Sequence, residues 1–142
     1  MVTIRQLLHQ KGGKVCSIDP DATVFDAVAK MAENDIGSVI VLDGEALIGI
    51  ITERHYARNV VLKGKSSSTT PIWEIMDRRV ITVRPEQSVE ECMAIMTDRR
   101  VRHLPVMEGE KIVGIVSIGD LVKSIIGDQK FRIDQLEQYI HG

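Results

Sequence analysis

The densest chemistry in this 142-residue chain is cationic. Arg99, Arg100, Arg102 and His103 fall almost side by side and run straight into Leu104, Pro105 and Val106. A guanidinium offers a fixed fork of donors that suits phosphate oxygens, so the stretch reads as an anion site. It also reads as a solvated helix C-terminus whose last carbonyls are met by basic side chains, which fits Arg99 and Arg100 well. A smaller group joins Arg54 and Arg58, one helical turn apart, with His55 between them. A protonated imidazole there could meet a phosphate, and the plainer alternative is a solvated face. Ser117 and Asp120 form a third group. The hydroxyl suits a helix N-cap, and a carboxylate in the first turn is favoured by the helix dipole.

Other chemistries find little footing. No GxSxG, HExxH or zinc-spaced Cys/His set occurs, and His9, His55, His103 and His141 fall in no metal-ligand pattern. Neither an enzyme nor a metal site is expected. Lys63-Gly64-Lys65-Ser66 superficially matches a phosphate loop but lacks the first glycine at the required spacing. Cys16 and Cys92 have no CxxC spacing and read as reduced thiols. A formal charge of −2 gives no basic excess with which to neutralise a nucleic-acid backbone. The apolar runs are too short and broken to span a bilayer, and the N-terminus has no apolar core of a secretory signal. The expectation is therefore a cytoplasmic protein with neither nucleic-acid nor membrane partners. At 44% hydrophobic and 27% charged residues, the composition is that of a soluble globular protein.

The elements that must position these groups come from a duplication. Shifted by 65 positions, residues 15–61 lie on residues 80–126 without a gap. Val15, Pro20, Val24, Ala29, Met31, Val41, Gly44, Glu45, Gly49 and Ile50 fall on identical residues. Each copy opens with an extended piece, 15–18 or 80–83, ending near a proline. Thr23 or Ser88 then caps a helix whose apolar residues recur at i, i+3, i+4 and i+7. Met31, Met76, Met93 and Met96 read as core. Two apolar runs follow, joined by Asp43-Gly44 or by Glu108-Gly109, a hairpin signal. A final helix starts at Thr52 or Ser117. The unit is β-α-β-β-α.

A short helix precedes each copy, with Ile4, Leu7 and Leu8 matching Ile72, Ile75 and Met76. Residues 11–14 form a glycine-interrupted basic loop, and the Ser/Thr-rich stretch 63–70 is a linker by composition. Gly127 reads as a helix C-cap, with a separate terminal helix beyond it that could pack on the chain itself or on a partner. The expected domains are 1–62, a linker 63–70, a second unit 71–127 and a terminal helix 128–142.

Two such copies, each with a Gly-apolar-apolar-(Ser/Thr) element before the last helix, resemble a tandem cystathionine-β-synthase (CBS) domain pair. The most specific pieces are GIITERHYA at 49–57, RVRHLPVME at 100–108 and GIVSIGDLV at 114–122. The run SVEECMAIMTDRRVRHLPV also resembles small stand-alone CBS-pair proteins. The resemblance implies a mixed α/β fold of two units with small three-stranded sheets, related by a pseudo-two-fold axis. It implies two clefts between them that bind S-adenosylmethionine or an adenine nucleotide such as AMP, ADP, ATP or NAD, a homodimer, and regulation of an unidentified protein partner.

By the same resemblance, a Ser or Thr followed three residues later by Asp holds ribose, a signature intact as Ser117 and Asp120, with Gly119 inside it. A carboxylate there can accept bonds from both vicinal hydroxyls. Arg102 and His103 match the phosphate-holding positions, and Thr82, Leu104, Pro105, Ile81 and Val106 the adenine slot. In the first copy, Thr52 is followed by His55 instead of aspartate, which makes the two sites unequal. Thr52, Arg54, His55 and Arg58 are candidates there, with residues 15–17 and 36–39. The competing expectation is an assembly subunit that works without a ligand.

Overall fold

The computed structural model describes residues 1–141; Gly142, the last residue of the expected terminal helix, lies outside the described residues. The chain divides into two compact units. One is Lys14–Ile81, and the other combines Met1–Gly13 with the chain from Thr82 onward.

The Lys14–Ile81 unit holds β1 (Ser17–Ile18), α2 (Val24–Asn34), β2 (Ser38–Asp43), β3 (Ala46–Thr52), α3 (Glu53–Tyr56) and α4 (Ile72–Ile75). Thr23 caps α2, its hydroxyl accepting from the Asp26 N–H while Asp26 accepts from the Thr23 N–H. The helix ends on Asp35, which takes the left-handed conformation. The strands form one sheet in the order β1-β2-β3, parallel between β1 and β2 and antiparallel between β2 and β3. Gly44 turns the hairpin at φ 63°, which glycine adopts without Cβ penalty. Val24, Ala27 and Met31 of α2 pack with Val39, Val41 and Ile51 of the sheet and Ile72, Ile75 and Met76. After α3 the chain passes into a π-helical turn, Ala57–Val61, where Leu62 N–H bonds the Ala57 carbonyl.

The second unit repeats the plan with α1 (Ile4–Lys11), α5 (Val89–Arg99), β4 (His103–Glu108), β5 (Lys111–Ser117) and α6 (Ile118–His141). Ser88 caps α5, and Arg100 ends it in the left-handed conformation, at the position that Asp35 holds in the first copy. Its buried apolar residues include Ile4, Leu7, Val83, Val89, Cys92, Met96, Leu104, Val106, Val116 and Leu121.

Four features depart from the sequence expectation. The helix preceding each copy packs in the compact unit built by the other copy. Leu8 of α1 lies against Gly114, where an added Cβ would come within 2.7 Å of it, and Met76 lies against Gly49 in the same way. Contact thus groups α1 with residues beyond 82, whereas chain continuity had grouped it with 1–62. Second, the strand expected at 80–83 shrinks to a single parallel bridge between Val83 and Val106. In the first copy the Ile40 N–H donates to the Cys16 carbonyl at 3.0 Å; the matching residue is Pro105, which has no N–H to give. Third, the 63–70 stretch is tied down: Val24 N–H donates to Thr70 and Phe25 N–H to Ser67. Finally, α6 runs unbroken through Gly127, whose backbone has no positive φ. A glycine costs about 1 kcal/mol inside a helix, which weakens one without ending it.

Candidate functional site

The β4-β5 hairpin brings the separate candidates of the second copy to one end. Register places His103 opposite Ser117, and the Ile118 N–H donates to the Arg102 carbonyl at 2.9 Å. The Arg102/His103 step and the head of α6 are therefore neighbours through backbone bonds alone. Arg102 is exposed and His103 half-buried.

Ser117 and Asp120 close a reciprocal cap. The Asp120 N–H donates to Ser117 Oγ at 3.2 Å, and the Ser117 N–H donates to Asp120 Oδ2 at 2.8 Å. Lys11, at the end of α1, also reaches this carboxylate. Its Nζ donates to Asp120 Oδ2 at 2.5 Å and to the Ile115 carbonyl at 2.7 Å. Burial alone would push the Asp120 carboxyl up, but the Lys11 ammonium and the Ser117 N–H hold it below its usual value. Both bonds fall on Oδ2, leaving Oδ1 for a further donor. An ionised carboxylate at a helix N-terminus, paired with an ammonium, can accept hydroxyl hydrogens.

The other second-copy candidates divide by burial. Thr82 and Gly119 are exposed, whereas the Leu104 side chain is wholly buried in the core and Pro105 is buried. Leu104 can thus offer a ligand only its backbone. The Pro105 carbonyl is already taken by the Val83 N–H at 3.0 Å.

The first copy builds the same cap with different chemistry. The His55 N–H donates to Thr52 Oγ1 at 3.2 Å, and the Thr52 N–H donates to His55 Nδ1 at 3.1 Å. That nitrogen must be unprotonated to accept. Burial lowers the His55 pKa, Asp77 at 3.9 Å from Nε2 opposes the shift, and Arg54 and Arg58 add to it. The imidazole is therefore neutral near pH 7, and a cationic His55 facing a phosphate would have to release its cap. Arg54 and Arg58 are exposed, and they flank the change from α- to π-helical turns.

Sequence reasoning missed Lys11 and Asp77 as partners of these caps. Their partners lie far along the chain, and the signals were the basic stretch at 11–14 and the match between Ile4, Leu7 and Leu8 and Ile72, Ile75 and Met76, which marks both flanking helices as parts of the repeat. Among the described residues no group of His, Cys, Asp and Glu could hold a metal ion, and no helix is long and apolar enough to cross a membrane.

Comparison with known proteins bears on the fold and the family. The family profile described as CBS domain matches residues 13–61 and again 72–127. The chain is 38% identical to the mitochondrial CBS domain-containing protein CBSX3 of Arabidopsis thaliana over 149 residues, covering 99% of this chain and 72% of that protein. A protein with CBS domains from Burkholderia ambifaria superposes with a TM-score of 0.87 at 48% identity, covering 90% of this chain and 96% of that one. The CBS domain pair of protein MJ0100, solved in complex with 5′-methylthioadenosine and S-adenosyl-L-methionine, has a TM-score of 0.80 over 90% of this chain and 98% of that one. At 22% identity that last likeness is one of fold. Two matched segments, a duplicated β-α-β-β-α plan and relatives spanning nearly the whole chain lead to one assignment: the chain belongs to the CBS-domain family, as a tandem CBS pair.

Proposed function

We propose that this CBS pair is a non-catalytic regulatory module that binds an adenine nucleotide at the Ser117/Asp120 end of the β4-β5 hairpin. One observation carries the proposal. The Asp120 carboxylate is held at the head of α6 by two donors on Oδ2, which leaves Oδ1 as an ionised acceptor. Ribose offers two adjacent hydroxyls to such an acceptor. Arg102 and His103, one backbone bond away, supply the phosphate contacts, and Lys11 adds a cation. The backbone near Thr82 and Leu104, beside Pro105, supplies the adenine slot. Regulation follows if the nucleotide favours one arrangement of the protein, which a partner then reads, because only a ligand with different affinities for two states shifts their populations. AMP, ADP, ATP and NAD share the ribose and adenine that this site addresses. Two free thiols fit a reducing compartment such as the cytoplasm.

A second reading, a ligand-independent assembly subunit, is favoured by the first copy, where His55 Nδ1 is consumed by the Thr52 N–H. Titration calorimetry with AMP, ADP, ATP and NAD separates the two. The expected result is one binding event, lost in Asp120→Ala, with a second event gained in His55→Asp, which restores the acid at the matching cap. Absence of heat with every nucleotide, or unchanged affinity in Asp120→Ala, would overturn the sensor reading in favour of the assembly reading.

A further inference from the structure

The outer part of α6 has an apolar face that none of the described residues covers. Val122, Ile126, Ile133, Leu136 and Ile140 are 39%, 59%, 55%, 62% and 72% exposed. With Gln129 they recur at alternating spacings of four and three residues, the heptad pattern of a coiled coil. Ile126, Ile133 and Ile140 fall at the first core position of the heptad, and Val122, Gln129 and Leu136 at the second. β-branched residues at the first position, with leucine at the second as at Leu136, favour two parallel strands. The outer part of α6 has little packing within its own unit, and most helical stability in proteins comes from a packed amphipathic face.

The flanking charges say what the partner is. Arg132 lies on one side of the seam and Glu137 on the other, five residues on. In a parallel pair of identical helices these two positions face each other across the interface, twice by symmetry. Gln129 would meet its own copy, and a polar pair inside an apolar seam fixes register.

We propose that α6 from Val122 to Ile140 forms a parallel, in-register, two-stranded coiled coil with a second copy of this chain. None of the seam residues belongs to the proposed nucleotide site. The interface joins the chain from Thr82 onward to the same segment of its mate, and leaves Asp120, two residues before the seam begins, outside it.

Sedimentation velocity of the full chain from about 1 to about 100 µM tests the proposal, because dimerisation follows mass action. The expected result is a dimer whose dissociation constant rises tenfold or more in Ile133→Asp. Arg132→Glu and Glu137→Arg should each weaken it, and the double exchange should restore it. That recovery separates an interface from mere loss of helix. In a Cys16→Ser background, Ile126→Cys, Ile133→Cys and Ile140→Cys should each oxidise to a covalent dimer. A chain that stays monomeric throughout, or a dimer indifferent to Ile133→Asp, would overturn the proposal. So would cross-linking at only one of the three positions, which is the antiparallel outcome.

Discussion

Lys11 and Asp120 are separated by most of the chain, yet their ion pair sets the charge and orientation of the candidate site. A double-mutant cycle of Lys11→Met, Asp120→Asn and the double variant measures it. Lys11→Met also loses the bond from Nζ to the Ile115 carbonyl, but that loss is common to both legs of the cycle and cancels. A hydrogen bond between charged groups contributes about 1.5–3 kcal/mol. The two side chains are 35% and 24% exposed, and solvent screening pulls the figure towards the surface-pair range, to a coupling of about 1 kcal/mol. For a compact unit of this size, that is a shift in Tm of about 4–8 °C. The pH dependence has a definite sign. The folded carboxyl titrates below its unfolded value of about 3.9, so the contribution is complete above that value and is lost as pH falls through the depressed folded pKa. Thermal unfolding followed by circular dichroism at pH 7, 5 and 3 should therefore give equal coupling at the first two and less at the third. A coupling near zero at pH 7, or one that persists undiminished into strong acid, would refute the assignment of Lys11 as the group that holds Asp120.

Two further outcomes follow from packing. Gly114→Ala places a methyl 2.7 Å from Leu8 Cδ2 and should cost about 1–3 kcal/mol by denaturant unfolding, with part of the loss recovered in combination with Leu8→Ala; full stability in the single variant would mean α1 is not seated against β5. Burial, with a smaller contribution from Glu91, pushes the Cys92 thiol up to about 11, so iodoacetamide at pH 8 should label it only when the protein unfolds. Labelling at the rate of a free thiol would contradict the buried position.

Much of the fold was legible because short-range rules decide it. Thr23 and Ser88 cap helices whose apolar stripes can be read from spacing, and Gly44 and Gly109 turn the hairpins at φ 63° because glycine tolerates that conformation. The duplication made each inference twice over. It also exposed the one asymmetry that matters chemically, His55 standing where Asp120 does. What spacing could not give was the consequence. The imidazole keeps the cap that the carboxylate makes, but it spends Nδ1 in doing so, and burial keeps it neutral.

The ordering of residues along the chain thus determined the repeat, the element types, the caps and the candidate Ser117/Asp120 pair, since each depends on groups a few residues apart. Tertiary structure alone decided that each flanking helix packs in the unit built by the other copy, that Lys11 meets Asp120 and Asp77 approaches His55, and that Pro105 trims a strand to one bridge. Those outcomes turn on side-chain volume at Gly49 and Gly114 and on a backbone donor missing at Pro105. Both act between segments distant in sequence, where local periodicity carries no information.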